Sequence, residues 1–238
     1  MTELTFSEQV FLNGEQFDTE ELSSDLKAAN PKGIGNYTKS IGPETNIRLL
    51  HSDSKARGSV LGRALLAVAF LANEQEGTIR LVPGEKKGLL RRRTYTVLCA
   101  EKANTTVAWP EHSLEAHILS LHEKLQDDQG RVQIEDLVYH LLRKTGGRVN
   151  SPVGLPSQLV TSGLAERGVV ETIKKRRLIF KRIHYELPER TATLAHQADL
   201  APIHQLLSET ATDRPNLWRL LILEINSGLN MMFDYYND

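Results

Sequence analysis

The chain has 238 residues, with 29 Lys and Arg against 30 Asp and Glu and a net charge of −1. Its 25% charged and 40% hydrophobic residues are the composition of a globular protein, which excludes a wholly disordered or fibrous chain. The longest apolar run, Ala64 to Ala72, falls well short of the roughly 20 residues that span a bilayer, and the opening MTELTFSEQV lacks a secretory pattern. A lone cysteine, Cys99, excludes a disulfide framework and points with the rest to a reducing cytoplasm. Within TYTVLCA it reads as a small buried hydrophobe.

The first ten residues can start a helix, but polar and turn residues dominate from Asn13 to Arg57 without a sustained period. This predicts a polar, loop-rich arm over 1–57 that wraps the surface. GSVLGRALLAVAFLA, from Gly58, is apolar all round and predicts a buried central helix opening a helical domain over 58–238. TIRLV and RTYTVLCAE then read as two strands joined by a PGEKKGLL loop. This first hairpin is basic, with Lys86, Lys87, Arg91, Arg92 and Arg93.

Ser113 is placed to cap a helix whose inner face is Leu114, Ile118, Leu121 and Leu125. Ile134, Leu137, Val138, Leu141 and Leu142 predict the next helix, stopped at Gly146 and Gly147, and Leu155, Leu159, Val160 and Leu164 a third, stopped at Gly168. A second hairpin follows over 171–185. Helix resumes around Leu194 to Leu207 and again from Pro215, with Asp213 as its expected cap. The predicted fold class is mainly α: one compact helical domain around a buried central helix, carrying two β-hairpins.

Catalytic and cofactor motifs are missing from the reading. The eight histidines have no zinc-site spacing, His122-Glu123 lacks the second histidine of HExxH, and there is no CxxC. GIGNYTKS at Gly33 does not match GxxxxGK[ST], and no GxSxG elbow occurs. The expectation is a protein without catalytic residues, metal or cofactor.

The sharpest signal is the second hairpin. It packs Lys174, Lys175, Arg176, Arg177, Lys181 and Arg182 around Leu178, Ile179 and Phe180, in a chain with no general reason to concentrate positive charge. Cations flanking large apolar residues suit an anionic membrane boundary. Arg91, Arg92 and Arg93 join this lipid-facing set if both hairpins share a face. Two other readings stay open. Leu178 and Phe180 can instead line the inner side of an ordinary amphipathic strand. Residues 132–187 also follow winged-helix order, with Leu155 to Glu166 as recognition helix. Its expected exposed positions, Ser157, Gln158, Thr161, Ser162 and Glu166, carry no cation, and the near-neutral chain disfavours a nucleic-acid partner.

Three blocks, ALLAVAFLANEQEGTIRL, LAERGVVETIKKRRLIFKRIHYELPER and TDRPNLWRLLILEINSGL, resemble the Golgi phosphoprotein 3 family in order and spacing over about 58–230. The resemblance implies a divergent, prokaryotic member with a mainly helical fold and no catalysis. It implies peripheral attachment through phosphatidylinositol 4-phosphate, with membrane-protein tails as partners. It also gives the hairpin a double role, in which Leu178, Ile179 and Phe180 enter the bilayer or join subunits into a homo-oligomer. This chain departs from the eukaryotic lipid pocket. No tryptophan precedes the buried helix, Arg57 and Arg63 lie near the expected arginine, and about Gly154 and Ser157 stand where two further arginines occur. An assembly protein that uses the hairpin only for subunit contacts is the alternative from another class.

Overall fold

A computed structural model describes residues 3–26, 44–50, 54–87, 94–143, 151–177 and 180–237, with side chains undescribed at 174–177, 180–183 and 236–237. Everything in it is organised by α4 (Gly58–Gln75). Residues 64–72 of this helix are all buried, so no face is left for water and neighbours must cover it on every side. The cover comes from α1 (Phe6–Leu12), α2 (Gly14–Phe17), α3 (Glu20–Leu26), α5 (Leu114–Leu125), α7 (Leu155–Glu166), α9 (Ala201–Asp213) and α10 (Pro215–Asn237). With α6 (Ile134–Arg143) and α8 (Glu189–Gln197) the described residues form a mainly α protein with three small antiparallel sheets.

The N-terminal segment departs from the expected surface arm. Thr5 N–H donates to Glu8 at 3.0 Å and starts α1, whose Val10, Phe11 and Leu12 are buried. Ser7 N–H and Oγ both donate to Glu115 of α5 at 2.9 Å, locking α1 in place. Phe17 of α2, Leu26 of α3 and Leu49 join the same core as α4, so the expected boundary at residue 58 does not separate two cores. The sequence pattern is silent here because single apolar anchors stand among polar residues, too sparse to set up a period.

β1 (Asn46–Arg48) and β2 (Lys55–Arg57) pair and deliver the chain into α4. β3 (Ile79–Lys87), β4 (Thr94–Lys102) and β5 (Arg131–Gln133) form the second sheet. The expected PGEKKGLL loop is corrected in part, because Pro83 to Lys87 continue β3 with Pro83 opposite Leu98. An edge strand tolerates a residue without an N–H. Gly84 beside it is required by crowding, since a Cβ there would lie 2.8 Å from Cys99 Sγ.

The periodic helices match their patterns. Ser113 Oγ accepts from Ala116 N–H at 3.2 Å, and Leu114, Ile118 and Leu121 are buried. All five predicted core positions of α6 are fully buried; Gly146 and Gly147 lie outside the described residues. α7 ends at Gly168, whose φ of +68° suits glycine. The helix expected around Leu194 to Leu207 is two, since Ala198 is extended between α8 and α9. Asp213 closes α9 rather than opening α10.

α4 and the turn leading into α7 approach so closely at Gly62 that a Cβ would sit 2.1 Å from Val153 O. Gly62→Ala must push the chain before α7 aside, and is expected to cost about 1–3 kcal/mol. A lowered urea midpoint at unchanged slope checks this; an unchanged midpoint refutes the close crossing.

Candidate functional site

The second basic segment forms β6 (Glu171–Arg177) and β7 (Phe180–Glu186), in a two-stranded sheet of its own. Its root is fixed by buried Val169 and Val170 and by Tyr185 and Leu187, which pack on the core. The next residues out, Glu171, Thr172, His184 and Glu186, are exposed or half-buried at most. The register sets Lys175 opposite Arg182 and Arg176 opposite Lys181, with Arg177 opposite Phe180. Like charges directly opposed across a ladder are unfavourable unless an anion screens them. Leu178, Ile179, Arg91, Arg92 and Arg93 lie outside the described residues, as does the side chain of Phe180. Of the first hairpin's cations, Lys86 is engaged, donating to Glu135 at 3.0 Å.

A second cationic element was not anticipated. Thr45 lies between the N-termini of α4 and α7: a Cβ on Gly58 would be 2.5 Å from Thr45 Oγ1, and one on Gly154 3.6 Å from it. Each helix N-terminus presents unsatisfied N–H groups and about half a positive charge. Among the described residues the hydroxyls of Thr45, Ser151 and Ser157 are buried and have no hydrogen-bond partner. Arg63, one turn into α4, donates from Nε to Asn226 Oδ1 at 2.6 Å and from Nη1 to Ser59 O at 2.6 Å. Burial lowers its guanidinium from the ordinary value, with Glu44 opposing. At the α4 end Glu44 accepts from Ser59 N–H at 2.9 Å and from Ser59 Oγ, and Asp18 accepts from Arg57 N–H at 2.8 Å. The junction therefore has the donors and field for an anion, and Glu44 supplies one from within the chain.

Arg57, the other arginine near this position, is committed elsewhere: Nε lies 2.6 Å from Asp18 and Nη1 2.7 Å from Glu20. Sequence reading missed Thr45, Ser151 and Glu44. The only signal was hydroxyl-bearing residues shortly before two glycine-led helix starts, TNI…ARGS and NSPVG. The recognition-helix reading of α7 needs correction, since Ser157 and Thr161 are buried and only Gln158, Ser162 and Glu166 of its five expected contact residues are exposed.

A strongly perturbed carboxylate belongs to neither element. Glu224 of α10 accepts from Gln133 Nε2 at 2.7 Å and from Glu135 N–H at 3.3 Å, while Glu135 accepts from Lys86 and Ser227. Burial pushes the Glu224 carboxyl up to about 7, with the Gln133 hydrogen bond opposing. This network ties α10 to β5, α6 and β3.

A scan against protein-family models finds no match to this chain, and a search of curated proteins finds no related sequence.

Because Glu224 holds its proton more tightly in the folded than in the unfolded chain, its contribution to stability is present below the unfolded value near 4.5 and is lost as pH rises to about 7. Relative to Glu224→Gln, the native protein is expected to lose on the order of 3 kcal/mol between pH 4.5 and 8. Parallel stability–pH profiles for the two proteins would contradict the assignment.

Proposed function

We propose that this chain is a non-enzymatic adaptor that docks peripherally on anionic membrane. The observation that carries the reading is the β6–β7 register, which opposes cation to cation on two adjacent rungs of a hairpin whose root is anchored in the core. Such a ladder is relieved by an extended anionic surface, where each Lys or Arg contributes ~1 kcal/mol and six contribute several. Lys174, Lys175, Arg176, Arg177, Lys181 and Arg182 form the headgroup-facing set, joined by Arg91, Arg92 and Arg93. Leu178, Ile179 and Phe180 enter the interface. No helix among the described residues is long and apolar enough to cross a membrane, in keeping with attachment from one side.

The junction of α4 and α7 supports a second, more selective contact. A phosphorylated headgroup there would displace the Glu44 carboxylate and meet Arg63, helix N–H groups and the three orphan hydroxyls. This is consistent with the resemblance to the Golgi phosphoprotein 3 family, with hydroxyls and helix ends in place of the eukaryotic arginines. The fold as one compact adaptor domain and a cytoplasmic location belong to the same proposal.

Sedimentation with vesicles separates the two contributions. Lys175→Glu combined with Arg177→Glu is expected to weaken binding to phosphatidylserine vesicles by at least about tenfold at low salt; unchanged pelleting rejects the hairpin. Arg63→Gln is expected to leave that general binding intact and remove any preference for phosphoinositide over phosphatidylserine. Preserved selectivity in this variant rejects the junction as the headgroup site.

A further inference from the structure

A cleft of about 800 Å3 opens between the start of α1, the end of α4, the segment before α5, and α8. Its apolar surface comes from Leu4, Phe6, Val107, Trp109, Pro110 and Leu194. Trp109 is held as a fixed wall, because its indole N–H donates to Asn73 Oδ1 at 2.9 Å and Asn73 in turn donates to Ala69 O at 2.9 Å within α4. Leu194 is 39% exposed, one of two large hydrophobic side chains so exposed among the described residues. The charged residues lining the cleft are Glu3, Glu76 and Asp199, all acidic and all exposed. Asp199 also accepts from Ala201 N–H at 3.0 Å at the start of α9, which fixes its position.

An apolar floor with an immobilised indole and a rim of one charge sign selects a ligand of matching anatomy. A neutral apolar ligand makes no use of the rim, and an anion is repelled by it. A cationic nitrogen attached to an aliphatic or aromatic body satisfies both, with the body against Leu4, Phe6 and Leu194 and the charge near the carboxylates or over the indole face. The volume lies within the range of small-molecule sites, at roughly 300–1,000 Å3. We infer that this cleft binds an alkyl- or arylammonium group. The same chemistry comes from a free amine or from a lysine side chain flanked by apolar residues in a peptide. This site lies apart from the hairpin and the α4–α7 junction, and it stands or falls independently of membrane binding.

Calorimetric titration of the unaltered full chain, without vesicles, tests it with three probes: phenylbutylamine, its neutral counterpart phenylbutanol, and an acetylated Leu-Phe-Lys-Leu-Phe amide. Saturable binding of the amine with no measurable binding of the alcohol supports a free-amine site. Binding of the peptide alone supports the lysine source. In either case Glu76→Gln, an exposed position whose replacement leaves the fold intact, weakens binding roughly two- to fivefold, and added salt weakens it further. A Trp218→Phe protein leaves Trp109 as the only indole, so its emission must shift on the same titration. Equal affinity for amine and alcohol overturns the proposal, as does silence from both amine and peptide. An unmoved Trp109 signal places binding elsewhere and overturns it too.

Discussion

The constraint on which the structure depends is that α4 has no polar face. A helix buried all round needs cover on every side, so seven other helices are recruited as lids over part of it, including three short ones from a polar N-terminal stretch. The turn that leads into α7 lies hard against α4, admitted because position 62 carries no side chain. That one contact fixes more than packing. It brings the start of α7 beside the start of α4 and traps Thr45 between them, so a feature that looks electrostatic is a by-product of close helix crossing.

Burial of charge follows a division of labour. The interior carboxylates are structural: Glu115 accepts two donors from Ser7, and Glu224 is bridged through Gln133 and the Glu135 backbone. Arg57 and Arg214 are neutralised by Asp18, Glu20 and Glu74 close by. Against this habit of local pairing, the β6–β7 ladder sets cation opposite cation, and Arg63 is bonded to a carbonyl and an amide rather than to a carboxylate. A chain of near-zero net charge thus concentrates cations along one hairpin ladder, and at the junction it gives Arg63 a carbonyl and an amide as hydrogen-bond partners, with Glu44 nearby.

Legibility in the sequence tracked how local the determining physics was. α5, α6 and α7 were readable because each shows a sustained apolar stripe, and Ser113 as a cap because capping involves neighbours three residues apart. Phe17, Leu26 and Leu49 were not readable as core, since isolated apolar residues acquire meaning only when α4 is there to receive them. The break at Ala198 escaped for a related reason: no glycine marks it, and the Pro202 that follows sits at a helix start where proline is at home. The hairpin's charge was visible because it is contiguous along the chain. The junction at Thr45 and the Trp109 cleft were invisible because each is assembled from segments far apart in sequence, linked by contacts no spacing rule encodes.

α7 joins the two cationic elements physically. Its N-terminus forms half of the junction, and its C-terminus turns at Gly168 into the hairpin root, where Val169 and Val170 N–H groups both return to Leu164 O. Twelve helical residues hold the ends about 18 Å apart, roughly twice the distance over which exposed charges feel one another at physiological salt, about 8 Å. The junction and the hairpin therefore act as separate electrostatic sites on one rigid spacer, and their contributions to anion binding should add rather than reinforce each other. On the proposed reading, selectivity would reside in the junction, where donors are fixed by helix geometry. Strength and salt sensitivity would then reside in the hairpin, whose many cations respond to charge density and not to the identity of a headgroup.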